Sequence, residues 1–147
     1  MPESSADRRS RWRQHWIESV FEFASSTVQE KAWLRGEGPW VTSYVECMCG
    51  YFDDLLGQRD YACALEQDLI SEREFELIKE FHDLATSYRP PNDVEAEKVV
   101  VADPAWQTVV RSAQVAWHKL KAELSPGEEL DFVTSLEQQW GTPGGPS

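Results

Sequence analysis

Long apolar runs are missing from this 147-residue sequence, in which uninterrupted apolar stretches extend over only a few residues. A helix that crosses a bilayer needs about 20 predominantly apolar residues, so the sequence predicts no membrane span and no membrane partner. The arginines near the N-terminus are not followed by an apolar segment, which argues against a secretory signal. We therefore expect a cytoplasmic protein.

Cysteine is scarce, with three residues in the chain. Cys47 and Cys49 lie two apart on a predicted helix, where their side chains diverge by about 200° and cannot easily form a disulfide. This favours reduced thiols, as in cytoplasmic proteins. With Cys63 and His82 they form the one set that suggests zinc, but only one end of the set has paired ligands, whereas structural zinc sites usually have two such pairs. We predict no metal and no cofactor.

Catalytic motifs are also missing. The sequence has no glycine-rich phosphate loop and no dinucleotide-binding fingerprint. His15, His82 and His118 stand far apart, and none has a serine or cysteine placed beside it as a nucleophile. We predict no catalytic residue and favour a protein that is not an enzyme.

Negative charge is abundant and unevenly distributed. The net charge is −12, yet the segment through Arg13 carries +2, from four arginines against Glu3 and Asp7, so the remainder carries −14. From Glu18 to Asp83 there are fifteen Asp or Glu residues and five Lys or Arg residues. Such a surface repels nucleic acid and attracts basic proteins. Plain solubility is an equally weighted explanation.

Helical periodicity dominates the sequence and predicts an all-α fold, a single-domain bundle of five to six helices. We place this domain at residues 1–140 and a disordered tail at residues 141–147, which are rich in Gly and Pro. Apolar stripes and capping signals place helices at Asp7 to Ala24, Thr27 to Leu34 (short), Pro39 or Trp40 to Leu56, Arg59 to Leu69, Glu72 to Tyr88, Pro104 to Leu124, and Glu128 to Trp140.

Two segments leave alternatives open. Residues 93–102 form a linker in which Val99, Val100 and Val101 suggest a short strand-like pass. The first helix carries a stripe that includes Trp12 and Trp16, and this stripe can pack against the chain's own core or against a second copy, as in a homodimer.

The best candidates for partner contacts are Glu46, Asp53 and Asp54 on the second long helix, with Trp40 as a possible aromatic anchor. Glu46 and Asp53 are seven residues apart and should share a helix face. A magnesium-dependent hydrolase would need carboxylate doublets on facing helices, and Glu46 has no such doublet beside it. Glu18 and Glu22 have the right spacing, but a solvated helix face explains them more simply.

Three segments carry a resemblance to a known group of proteins. Ser43-Tyr44-Val45-Glu46 continues to Tyr51-Phe52-Asp53-Asp54 on one helix, Ile70-Ser71-Glu72-Arg73-Glu74-Phe75 opens another, and Asp103-Pro104-Ala105-Trp106 opens a third. Over most of residues 12–138 the chain resembles small acidic helical bacterial proteins, some of which are immunity proteins of polymorphic or contact-dependent toxin systems. The resemblance implies a non-enzymatic inhibitor that binds one cognate toxin and blocks its active site or substrate channel.

Charge and resemblance together favour an immunity or antitoxin-like inhibitor of a basic toxin, for which a nuclease is a natural candidate because it must bind phosphate. A helical adaptor or regulator with another partner is the nearest alternative. A divalent-metal-dependent hydrolase is the third.

Overall fold

The computed structural model describes residues 4–57 and 60–144, and within those ranges every regular element is a helix. The elements in chain order are α1 (Ser5–Ala24), α2 (Ser26–Val28), a first π-helical turn (Gln29–Leu34), α3 (Tyr44–Cys49), a second π-helical turn (Gly50–Leu55), α4 (Ala62–Glu66), α5 (Glu72–Ser87), a 3₁₀ turn (Pro91–Asp93), α6 (Glu97–Ala102), α7 (Pro104–Glu123) and α8 (Glu128–Trp140). The all-α prediction is confirmed. The eight α-helices within these ranges exceed the expected five to six, because several are short.

The first helix lies at the centre of the fold. Ser4 caps α1 by accepting a hydrogen bond from the backbone N–H of Asp7. Trp16, Ile17 and the apolar positions that follow them are fully buried, and α1 packs against α7, α8 and the second π turn. The tryptophan stripe predicted from the sequence is therefore covered largely within the chain, and the homodimer stays a prediction.

Arg13 joins the N-terminal parts of three helices although it is almost completely buried. All five of its N–H groups donate hydrogen bonds: two to Glu74 on α5, two to Glu129 on α8 and one to the carbonyl of Leu69. Its guanidinium also lies 5.4 Å from the centre of the Trp16 ring. A buried arginine is tolerated only when its charge and its donors are satisfied, and here both conditions are met.

The predicted N-terminal caps of the two other long helices, α5 and α7, are confirmed. Ser71 and Glu74 form a capping box at the start of α5. Asp103 caps α7, and Pro104 occupies its first turn. These two helices pack against each other along one side of the core.

The predicted start of the second long helix at Pro39 or Trp40 is wrong. Ser43 caps the helix through a bond from the N–H of Glu46, and α3 begins at Tyr44. Val41, which the predicted helix would have included, lies before α3 and is 94% exposed. The proline was a weaker start signal than the serine, because a capping side chain satisfies a free N–H group of the first turn.

The short helix also starts at a different residue from the one predicted. Ser25, and not Thr27, accepts the capping bond, from the N–H of Val28. The helix then widens into the first π turn, where Gln29 is buried. The Gln29 amide donates to the carbonyls of Glu22 and Phe23 and accepts from Trp106 Nε1, so its polar atoms are bonded.

Two further predictions are corrected. The helix expected from Arg59 to Leu69 is shortened to α4, because Asp68 adopts a positive φ of 58°; Arg59 itself lies outside the described residues. Within residues 93–102, where a strand-like pass was expected, residues 97–102 form the helix α6, which packs on α7 with Val100 fully buried. Tertiary packing has overridden the strand preference of three consecutive valines.

The last helix starts after Gly127, and no side chain caps it. Beyond α8, residues 141–144 are described, and Pro143 is buried with its carbonyl 2.7 Å from His118 Nε2. Residues 145–147 lie outside the described part, and for them the disordered tail stays a prediction. No helix in the described ranges is both long enough and apolar enough to cross a bilayer.

Candidate functional site

The helix α3 and the second π turn form a ridge between two surface grooves. Cys49 lines both grooves, and eight other ridge residues each line one of them. The first, which we name the carboxylate groove, has a volume of about 300 Å³ and lies between the ridge and α1. The second, the Arg89 groove, has a volume of about 290 Å³ and lies between the ridge and the loop after α5.

Four carboxylates line the carboxylate groove. Glu18 and Glu22 lie one turn apart on α1, and Glu46 and Asp54 face them from the ridge. Among the described residues that line this groove, none is Lys or Arg, and His15 is the one side chain that can carry positive charge. The groove is therefore a region of concentrated negative potential, which favours cationic groups.

Glu22 is the most firmly held of these carboxylates. One of its oxygens, Oε2, accepts hydrogen bonds from Trp33 Nε1 at 2.9 Å and from Thr42 Oγ1 at 2.7 Å. Burial raises the pKa of Glu22; the two hydrogen bonds oppose this effect, and the charges of Glu18 and Glu46 add to it. The fold therefore fixes this side chain in position while disfavouring its negative charge.

The neighbouring groups also resist ionisation. Burial raises the pKa of Glu18, and His15 opposes that rise. Burial raises the pKa of the Cys47 thiol well above its ordinary value, and the charge and hydrogen bond of Glu22 raise it further. Cys47 is thus an unreactive, protonated thiol at the floor of the groove, because the thiolate is the nucleophilic form.

The Arg89 groove has mixed character. Apolar side chains of Val45, Met48 and Pro90 lie beside the carboxylates of Asp53 and others. The Arg89 guanidinium donates to the carbonyls of Thr86 and Tyr88, so it closes the C-terminal end of α5. Burial, together with the charge of Glu95, raises the pKa of Tyr44 to about 12.

The predicted contact residues are all on or near the ridge, but not in the expected arrangement. Glu46 and Asp54 line the carboxylate groove, whereas Asp53 lines the Arg89 groove. The cause is the second π turn, which holds one residue more than an α-turn. After this turn Asp54, eight positions beyond Glu46, lies on the same side of the ridge as Glu46. Asp53, seven positions beyond, lies on the other side.

Trp40, the predicted anchor, is half-buried and outside both grooves. Its ring packs on Trp140, with 5.3 Å between the ring centres, and on Phe21 at 6.4 Å. Trp33, on the other side of the glycine-rich turn, is buried and holds Glu22. Whether Trp40 meets a partner stays a prediction.

The set that suggested zinc is not assembled. Cys47 is buried, Cys49 and Cys63 are exposed, and His82 is bonded to Tyr51 through Nδ1. In the part of the chain that the structure describes, no three His, Cys, Asp or Glu side chains are arranged to hold a metal ion.

Sequence reasoning missed the role of Glu22, which was assigned with Glu18 to a solvated face. A signal was present, since Glu22 stands between Phe21 and Phe23 on the edge of the buried stripe. Comparison of the chain with protein-family models, with curated proteins and with solved structures gives no match in any of the three.

Proposed function

We propose that this protein is a non-enzymatic inhibitor of the immunity type, which binds a cognate basic protein toxin through the ridge. The carboxylate groove receives lysine or arginine side chains of the toxin. A nuclease toxin suits this surface, because a protein that binds phosphate backbones must present a positive surface of its own. The inhibitor then occupies that surface in place of the nucleic acid.

The observation that carries this proposal is the unfavourable charge of the carboxylate groove. Glu18 and Glu22 are placed where burial disfavours their ionised forms, and no lysine or arginine among the described lining residues compensates for them. Neutral side chains would suit folding better at this place. Groups that are unfavourable for folding are typical of functional sites, and a cationic partner would supply the missing counter-charge.

The local charge and the exposed apolar side chains also support the ridge as the surface that binds the toxin. From Gly36 to Glu72 the sequence has eight Asp or Glu residues and a single basic residue, Arg59. Val41 is 94% exposed and Val45 is 41% exposed, and Val45 lies on the ridge itself. Protein interfaces usually contain apolar side chains surrounded by charged ones. Burial of the apolar side chains contributes affinity, and the charges raise the association rate and the specificity.

Co-expression with the products of the adjacent genes tests the proposal, which requires that one of them is a toxin. We expect the wild-type protein to restore growth and to co-purify with the toxin. The double variant Glu46→Gln/Asp54→Asn should lose affinity by about tenfold or more, since several charges of the groove act together.

The matched control is Glu76→Gln/Glu80→Gln, which removes the same charge from exposed positions on α5. It should bind like the wild type. Equal losses in both double variants would indicate general electrostatic attraction and would contradict a site at the ridge. Recovery of a different, housekeeping partner would favour the adaptor alternative.

A further inference from the structure

A chain of hydrogen bonds runs through the core behind the ridge. Trp16 Nε1 donates to the Tyr61 hydroxyl at 2.9 Å, the Tyr61 and Tyr51 hydroxyls lie 2.7 Å apart, and the Tyr51 hydroxyl lies 2.9 Å from His82 Nδ1. The first three residues are at most 2% exposed and His82 is 7% exposed. The chain joins α1, the residue before α4, the second π turn and α5.

Counting donors fixes the direction of these bonds. An indole N–H can only donate, so Tyr61 accepts from Trp16 and is free to donate to Tyr51, which in turn donates to His82. The Trp16 N–H and the hydroxyls of Tyr61 and Tyr51 are then the donors of the three hydrogen bonds. This arrangement requires that Nδ1 of His82 carries no hydrogen, so that it can accept. The neutral imidazole must therefore carry its hydrogen on Nε2.

A proton on His82 Nδ1 breaks this balance. The imidazolium becomes a fourth donor for the same three bonds, so one hydroxyl proton, on Tyr51 or on Tyr61, has no acceptor in the chain. Both hydroxyls are buried, and a buried donor without an acceptor is strongly unfavourable. Moving one of the two tyrosines would relieve this conflict, because a displaced hydroxyl can donate to another acceptor.

We infer that this chain is a pH-sensitive lock on the segment from Asp60 to Leu69, closed while the His82 imidazole is neutral and opened when it takes up a proton. Tyr61 is the tyrosine expected to move. It precedes α4, which is five residues long and whose N-cap side chain makes no capping bond. Tyr51, in contrast, lies in the second π turn, which packs on α1.

The groups around His82 are consistent with the lock. Aromatic rings of Tyr51, Phe52 and Tyr61 lie within 5.8 Å of the imidazole, ring centre to ring centre. Two charged groups face it, Asp83 on α5 and Asp60 before α4. Burial lowers the pKa of His82 from 6.5, and these two carboxylates oppose the shift without reversing it.

Nuclear magnetic resonance of the histidine side chains in the full chain tests the inference. Near neutral pH, we expect His82 to carry its hydrogen on Nε2, and its titration midpoint to lie below 6.5. Finding the hydrogen on Nδ1 would overturn the inference, and this measurement needs no variant.

The variant Tyr51→Phe separates the lock from simple burial. It removes the hydroxyl that conflicts with the protonated imidazole, so the midpoint of His82 should rise towards 6.5. Burial alone predicts an unchanged or lower midpoint, because phenylalanine makes the site more apolar; that result would overturn the lock. Phe52→Leu is the control, since Phe52 contacts His82 through its ring alone, and the midpoint should stay close to that of the wild type.

The movement itself is followed through the backbone amides of residues 60–66. In the wild type their resonances should shift with the midpoint of His82. In His82→Asn, which keeps an acceptor near the position of Nδ1 but does not titrate, this shift should be lost. Amide shifts that persist in His82→Asn would show that another group controls the segment and would overturn the inference.

Discussion

Arg13 and Glu74 form two parallel hydrogen bonds, of 2.9 and 2.6 Å, although 61 residues separate them along the chain. Glu74 also accepts from the backbone N–H of Ser71, so one carboxylate both caps α5 and holds α1. The hydrogen bonds and charges of Glu74 and Glu129 raise the pKa of Arg13 although burial opposes this. Burial is the largest single effect on this pKa, yet the two carboxylates together outweigh it and keep the guanidinium charged.

Replacing Arg13 should be among the most destabilising single changes in the protein. Arg13→Met leaves two partly buried carboxylates and a carbonyl without their donor, and breaking a buried ion pair in this way costs about 3–5 kcal/mol. Urea denaturation measures the loss. Arg111→Met, at an exposed arginine that donates a hydrogen bond to the Thr108 hydroxyl, should stay within about 0.5 kcal/mol of the wild type. Similar effects in the two variants would contradict the role given to Arg13.

The same ion pair predicts a loss of stability in acid. Burial alone would raise the pKa of Glu74, but the hydrogen bonds from Arg13 and Ser71 and the charge of Arg13 lower it below 4.5. The unfolded chain therefore takes up a proton at this position at a higher pH than the folded chain does. The contribution of the ionised Glu74 carboxylate to the free energy of unfolding is complete above pH 4.5. It is lost as the pH falls through the pKa that Glu74 has in the folded protein. In Glu74→Gln the curve of unfolding free energy against pH should be flatter over this range; parallel curves would contradict the assignment.

Neutralising Glu22 should stabilise the free protein. Its folded pKa lies above 4.5, so its stabilising contribution is complete below that pH and is lost as the pH rises through the folded value. Glu22→Gln at neutral pH should therefore raise the unfolding free energy, while an amide oxygen still accepts from Trp33 and Thr42. Thermal denaturation of the two proteins measures this. A less stable variant would remove the main support for a functional groove.

Divalent metals should not stabilise the protein through the carboxylate groove. A ligand at a concentration of 100 times its Kd stabilises the folded state by about 2.7 kcal/mol, which raises Tm by several degrees. We expect no such rise with Mg²⁺, Mn²⁺ or Zn²⁺, because the four carboxylates are not arranged around one point. A rise that disappears in Glu22→Gln would revive the hydrolase alternative.

Three glycines should respond differently to alanine. Gly38 has a φ of +91°, and an added Cβ would lie 2.7 Å from the Trp140 ring, so Gly38→Ala should cost at least about 2 kcal/mol. Gly36 has a φ of +65° but open space around it, so Gly36→Ala should cost about 1–2 kcal/mol. Gly50 is helical and unobstructed, so Gly50→Ala should stabilise by about 0.5–1 kcal/mol. Chemical denaturation gives the order, and a tolerated Gly38→Ala would contradict the close packing of Trp140.

The long helices could be predicted because each carries a continuous apolar stripe and a strong cap. The second π turn could not, because Tyr51, Phe52, Leu55 and Leu56 are apolar in pairs, and an extra residue in the turn leaves this pattern almost unchanged. The π turn also brings Asp54 to the same groove as Glu46. Because the turn was not predicted, this arrangement was not predicted either. The burial of Arg13 was beyond reach for another reason, since its partner Glu129 is 116 residues away and local spacing carries no information about it.

The central position of α1 has a consequence for how the molecule is made. This helix leaves the ribosome before any of its main partners, and α7 and α8, which cover much of it, follow all the other elements of the core. Until they emerge, the indole of Trp16 and the charge of Arg13 lack part of their final surroundings. The core therefore cannot be completed until α7 and α8 have emerged, and a nascent chain stopped before Glu129 would hold an arginine with half of its carboxylate partners.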